Sequence, residues 1–271
     1  MTSPAHPACL IIGIDNHVGA YLARLLDARG VALAGVGDAH IVTRLGIADK
    51  ITVCAADDVG AAVSEARLVF AINDGSAARA DLFAAGIEAA RGAARLIHVA
   101  DVADLALAPV RATIARIDAA KSASAGEAAN VLLAAHDSRF GSRDTLTAQI
   151  VAAAYAAANG TATGMVDIAE SGARDWGWTP EYVDAVQRLA NRERLTDMVV
   201  ASGHTLTAAD IAKVAFGFFK IDAAAHLRIT GTGTTVAAID PAALTAATSW
   251  RASTWGADLI KALCEGAGAR A

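Results

Sequence analysis

The stretch Cys9-Leu10-Ile11-Ile12-Gly13-Ile14-Asp15-Asn16-His17-Val18-Gly19 decides the fold. An apolar run long enough for one strand meets a glycine-bounded turn. A helical pattern follows over Val18–Arg29 and ends at Gly30. The same alternation continues outward. Strands are predicted at Val31–Val36, Ile51–Cys54, Leu68–Ile72, Leu96–Val99 and Val131–Ala135. Helices are predicted over Ala77–Arg91, closed by Gly92, and over Arg111–Ala129. Short strands that are apolar on both faces, separated by helices, imply a parallel sheet covered on both sides. Right-handed crossovers then make the sheet doubly wound. Past residue 140 the pattern loosens into helices at Thr145–Ala158, Pro180–Asn191, Thr207–Phe219, Asp240–Thr248 and Ala257–Glu265. The chain therefore reads as α/β. A first lobe covers 1–140, and a smaller mixed lobe over 141–271 is continuous with it.

Composition narrows the function. The chain has 271 residues, 55% hydrophobic but only 5% aromatic, so its core packs small aliphatic side chains. Net charge is −5 with no basic stripe, which disfavours nucleic-acid binding. Charges interrupt every apolar run before the roughly 18 residues that a membrane span needs. The N-terminus shows no basic segment leading into an apolar one, so no secretory leader is expected. Cys9, Cys54 and Cys264 have no metal-type spacing and read as buried thiols in a reducing compartment. A cytoplasmic protein is expected.

A glycine turn between strand and helix lets backbone approach a pyrophosphate, and the helix N-terminus supplies amides and positive dipole. This opening is Rossmann-like, with Gly13 and Gly19 at the outer positions and Asn16 where a middle glycine belongs. Asparagine tolerates positive φ, so the turn can survive, although the side chain takes space that a phosphate would use. Asp38, just past the second strand, can accept hydrogen bonds from the adenosine ribose and would repel a 2′-phosphate. If a cofactor binds, NAD is favoured over NADP. Asp38 can equally be a solvated loop residue. Asp57 can face an adenine or simply cap a helix.

Further along, Ala173-Arg174-Asp175-Trp176-Gly177-Trp178-Thr179-Pro180-Glu181-Tyr182-Val183-Asp184-Ala185 resembles a segment of the GDP-mannose 4,6-dehydratases, extended members of the short-chain dehydrogenase/reductase family. Met198–Thr205, Asp240–Leu244 with Ser249-Trp250, Ala135–Gly141 and Gly13–Leu22 are similar to other blocks of the same family. The resemblance implies NAD(P) in the first lobe and a GDP-sugar held by the second. It also implies transient hydride transfer, assisted by a tyrosine–lysine pair, a hydroxyl residue and a glutamate.

The chain departs from that pattern where the chemistry should be. Its only tyrosines are Tyr21, Tyr155 and Tyr182, and none has a lysine four residues on. In Val99–Leu105, Asp101 replaces the hydroxyl residue and Ala103 the glutamate. Ala148 and Gln149 stand at the family's basic helix position, and Gly231–Thr235 is neutral. Loss of a general acid/base group typically costs about 10²–10⁴-fold in rate. Arg174 remains, able to grip a diphosphate or to pair with an acid.

His98, Asp101 and Asp104 after the fifth strand, with His136 and Asp137 after the sixth, are the other catalytic candidates. Their alternative reading is ordinary structural and solvated residues; no metal motif is specified. The alanine-rich faces of Arg111–Ala129 and Thr145–Ala158 suit either a dimer interface or packing within the monomer. Three functions follow: a non-catalytic partner or regulator in nucleotide-sugar metabolism, associated as a homodimer or with a related dehydratase; an active dehydratase, epimerase or reductase with relocated residues; or an NAD-dependent reductase of unrelated substrate.

Overall fold

Nearly continuous apolar runs form the central strands, and in the computed structural model they are buried along their length. The structure describes residues 8–90, 94–124, 127–231 and 233–270. Gly92 and Thr232, which figure in the sequence reading, lie outside these. In chain order the strands are β1 (Cys9–Ile12), β2 (Leu33–Val36), β3 (Ile51–Cys54), β4 (Leu68–Asn73), β5 (Arg95–Asp101) and β6 (Ala128–Leu133). They continue with β7 (Ala135–Asp137), β8 (Val166–Ile168), β9 (Arg174–Trp178), β10 (Met198–Val200), β11 (Thr205–Leu206) and β12 (Leu227–Ile229).

One sheet has the order β10-β6-β5-β4-β1-β2-β3, and every neighbouring pair is parallel. This is the Rossmann-like α/β sheet that the alternation implied. Strand succession reverses between β1 and β4, and the carboxyl ends of strands at such a reversal are where open α/β sheets bind ligands. Alternate strand residues Leu10, Ile12, Ala34, Val36, Val69 and Ala71 share a buried cluster with Val63, Phe83, Ile87 and Ile117 of flanking helices. The period of two in the strands matches this face.

The chain divides into two compact units. The first comprises Met1–Leu133, Val183–Val200 and Ala243–Trp250; the second comprises Ala134–Tyr182, Ala201–Ala242 and Arg251–Ala271. Residues 183–200 return to the first unit because β10 pairs with β6. Arginines secure the returning segments inside the first unit. Arg95 donates to the carbonyls of Ala190 (2.9 Å) and Arg192 (2.6 Å), and Arg29 pairs with Asp184 at 2.7 Å. The second unit has its own core, with Ile150, Trp176, Ile211, Phe216, Leu259 and Ile260 buried together. Its sheets are β11-β9-β7 and β12-β8.

Two expectations about elements are corrected. The predicted helix Arg111–Ala129 is Ala108–Ser124, because Ala128 and Ala129 pair with Leu96 and Ile97 as strand β6. The strand expected over Val131–Ala135 is split, since Ala135 opens β7 in a different sheet. Burial pushes the Cys9 and Cys264 thiols up to about 12. Among the described residues no helix is long and apolar enough to cross a membrane.

Candidate functional site

A dinucleotide turn asks three things of its glycines: a tight bend, an open approach for pyrophosphate, and close packing of helix on strand. Gly13 supplies the bend, with φ +104° and its amide donating to the Val36 carbonyl at 2.8 Å. Gly19 supplies the packing, since a Cβ there would lie 2.2 Å from the Gly13 carbonyl oxygen. The middle requirement is not met. Asn16 adopts extended backbone (φ −86°, ψ 143°) instead of the left-handed conformation anticipated for it. Its side-chain oxygen accepts from the Val18 amide at 2.8 Å and so caps the helix His17–Ala28.

A charged cluster covers the same turn. Arg79, from the helix Ala77–Ala90, pairs with Asp15 at 2.5 Å and with Asp74 at 3.0 Å; Arg79 and Asp15 are partly buried, and Asp74 is at the exposed end of the cluster. A Cβ on Gly13 would meet an Arg79 guanidinium nitrogen at 2.7 Å, so the guanidinium lies directly over the turn. The other oxygen of Asp15 (Oδ1) is buried without a hydrogen-bond partner. It lies against Gly37, where a Cβ would come within 2.3 Å of it. Asp15 and Arg79 thus face each other across the turn. Its surroundings are also acidic: Asp104 has its carboxyl pK raised, by burial first and then by Asp101 and Asp74.

Asp38 is exposed, and its Oδ1 accepts from both the His40 amide (2.8 Å) and the His40 ring (2.9 Å). Those contacts hold its carboxyl below the usual range. Asp57 is exposed in a short 3-10 turn ahead of the helix Val59–Glu65.

His98, a catalytic candidate in the sequence, lies inside the sheet. It has no exposed surface, and both ring nitrogens are engaged, Nε2 with the Asn73 amide (3.1 Å) and Nδ1 with Asn130 Oδ1 (2.9 Å). That pattern assigns a neutral ring that donates from Nδ1 and accepts at Nε2. Burial lowers its pKa to about 4. The three side chains sit on adjacent strands β4, β5 and β6 and pin them together. Asn130 then reaches Asp118 at 3.1 Å, and Lys121 holds Asp118 and Asp197 at 2.7 and 2.6 Å. Asp101 ends β5 half-buried and contributes to the acidic surroundings of Asp104.

In the second unit the Arg-Asp-Trp-Gly block lies on strand β9, and most of it builds structure. Asp175 is buried and accepts from the Ser202 amide (2.9 Å) and hydroxyl (2.8 Å), the Gly203 amide (2.9 Å) and the Ile239 amide (3.1 Å). One carboxylate thus fastens two loops. Gly177 leaves room for the Tyr182 ring, whose atoms would be 2.3 Å from any Cβ there. Tyr182 is wholly buried beside Ser202, and burial, reinforced by Asp175, raises its phenol well above the ordinary value.

His136 is buried against the same tyrosine, ring centroids 5.7 Å apart, with Nδ1 on the Thr179 hydroxyl at 2.9 Å. Only 6% of it is exposed. Asp137 accepts from the Thr147 and Thr145 hydroxyls at 2.6 and 3.1 Å and fixes the start of the helix Leu146–Ala158. Arg174 is the exception. It is partly exposed and is paired with Glu170.

Two residues central to the turn escaped the sequence reading. Arg79 is one arginine in an alanine-rich helix, and nothing in its spacing marks it. Asp15 sits inside the quoted turn, and a carboxylate within a phosphate-binding loop was the available signal. Among the described residues no group of three or more His, Cys, Asp or Glu is arranged to hold a metal.

Comparison with known proteins adds the family. A sequence model of the family described as GDP-mannose 4,6 dehydratase matches residues 117–253, just over half of the chain. No curated protein matches. Among solved structures, TunA, described as a novel NAD-dependent NDP-hexosamine 5,6-dehydratase involved in tunicamycin biosynthesis, is 18% identical with a TM-score of 0.80, over 98% of this chain and 99% of that one. The dTDP-glucose 4,6-dehydratase from Bacillus anthracis str. Ames, in complex with NAD, is 9% identical with a TM-score of 0.79, over 96% of both chains. The UDP-glucuronic acid 4-epimerase from Bacillus cereus, in complex with UDP-glucuronic acid and NAD, is 8% identical with a TM-score of 0.80, over 97% of this chain and 99% of that one. At such identities these structures carry the fold alone. The family match agrees with the Arg174–Ala185 block: the chain belongs to the GDP-mannose 4,6 dehydratase family.

Proposed function

We propose that this chain is a catalytically degenerate member of its family, a non-catalytic partner or regulator in nucleotide-sugar metabolism that recognises a GDP-sugar through its second unit. The observation that carries this reading is the helix Ala108–Ser124, which follows β5 and contains no tyrosine. Its single lysine, Lys121, is held by two carboxylates. Tyr182 offers no substitute, since a buried phenol with a raised pKa does not become a tyrosinate base at neutral pH. Relocation of the chemistry to His98 or His136 is not favoured, because both rings are sealed and hydrogen-bonded.

Arg174 is the residue proposed to hold the sugar diphosphate. A guanidinium can exchange one carboxylate, Glu170, for two phosphate oxygens in bidentate geometry. The UDP-glucuronic acid complex of the Bacillus cereus epimerase supports a nucleotide sugar as the ligand class. The test is incubation with GDP-mannose and NAD or NADP, following the 4-keto-6-deoxy product, beside calorimetry with GDP-mannose alone. No product is expected, together with binding that weakens roughly tenfold or more in Arg174→Ala. Robust turnover would overturn the reading. Co-purification with a tyrosine-bearing homologue would support the partner role.

A further inference from the structure

We propose that the turn of the first unit is occupied by the chain's own groups and holds no dinucleotide: the Asp15 carboxylate takes Arg79, and the Asn16 side chain takes the Val18 amide. These are the two kinds of donor, a guanidinium and a helix N-terminal amide, through which a pyrophosphate would be held. Asp15 is an internal anion standing where the external one would bind. Its position is built into the backbone. Gly37, with φ +133°, lacks the Cβ that would strike Asp15 Oδ1, and Asp74 grips Arg79 from a second side.

Seating a pyrophosphate would require turning Asp15 out of a partly buried pair and breaking the Asn16 cap. The displaced carboxylate would remain close to a ligand of like charge, with Asp74 beside it. This inference goes beyond the non-catalytic reading, which rests on missing proton-transfer groups. A chain lacking those groups can still hold NAD, so the two stand or fall separately.

The experiment titrates NADH into the full chain, following nicotinamide fluorescence and calorimetric heat at low ionic strength. The natural chain should show no saturable binding up to about 1 mM. Asp15→Thr combined with Asn16→Gly releases Arg79 from Asp15, leaving it paired with Asp74 alone, and releases the Val18 amide, and should bind roughly tenfold or more tighter. Asp15→Asn keeps the side-chain shape, guards against loss of folding, and should give a smaller gain. Circular dichroism verifies that each variant is folded. Micromolar NADH binding by the natural chain would overturn the proposal, and so would folded variants that bind no better.

Discussion

The Gly13–Gly19 turn and the Arg174–Tyr182 segment both carry motif residues, and each spends its aspartate internally, but with different completeness. In the second unit Asp175 accepts four internal hydrogen bonds. In the turn, Asp15 gives one oxygen to Arg79 and leaves the other buried without a partner. A buried acceptor with every lone pair used is a folding device; one half-satisfied stores an unpaid desolvation cost of about 1–3 kcal/mol. Motif residues therefore testify to ligand binding only after their internal partners are known.

The comparison can be broken most forcefully at Asp175. Asp175→Ala should take the acceptor from three amides, that of Ser202 buried and those of Gly203 and Ile239 partly so, while the Ser202 hydroxyl keeps the His204 carbonyl, and urea unfolding should show a loss of about 4 kcal/mol. A loss below about 1 kcal/mol would mean that water replaces the carboxylate, and the contrast with Asp15 would collapse.

Next in size is the pH dependence carried by His98 in the first unit. Its folded pKa, about 4, lies below the ordinary 6.5, so the unfolded chain takes up a proton that the folded one refuses between those values. The associated stability is fully present above about pH 6.5 and is lost as pH falls toward 4, by about 3 kcal/mol in all. Urea midpoints at pH 7 and pH 4.5 measure it, and His98→Gln should remove this part of the slope. An unchanged slope in that variant would show that the carboxylates alone set acid stability.

Gly19→Ala sharpens the role of the turn. Its Cβ would sit 2.2 Å from a backbone oxygen, so the helix must shift, at about 2 kcal/mol. A neutral substitution in thermal unfolding would mean that the helix docks loosely. The smallest effect is expected at Glu181. It accepts from the amides and hydroxyls of Ser253 and Thr254, which together hold its carboxyl below the ordinary value although burial opposes them. Glu181→Gln should cost about 1 kcal/mol, since the amide keeps one acceptor oxygen. Increased hydrogen exchange at Ser253 and Thr254 would accompany it.

Much of the fold was legible because strand and helix periods in an α/β chain are local properties. Leu10, Ile12, Val69 and Ala71 announce a buried strand face before any pairing is known. Element ends were less legible. Ala128 and Ala129 are good helix residues, and only their pairing with β5 makes them strand. The site was legible in one direction only. Absence of a tyrosine is visible in the letters, whereas the fate of each polar residue that remains depends on its neighbours.

The amino-acid order by itself determined the doubly wound sheet, the bend at Gly13, the packing glycine at Gly19 and the missing tyrosine–lysine pair. Only the tertiary structure decided that Arg79 covers the turn, that Asp15 faces Gly37, and that His98 and Tyr182 are sealed. The reason is physical. Hydrophobic periodicity repeats over a few residues of one segment, but burial, ion pairing and the resulting pKa shifts arise between segments that the sequence keeps far apart.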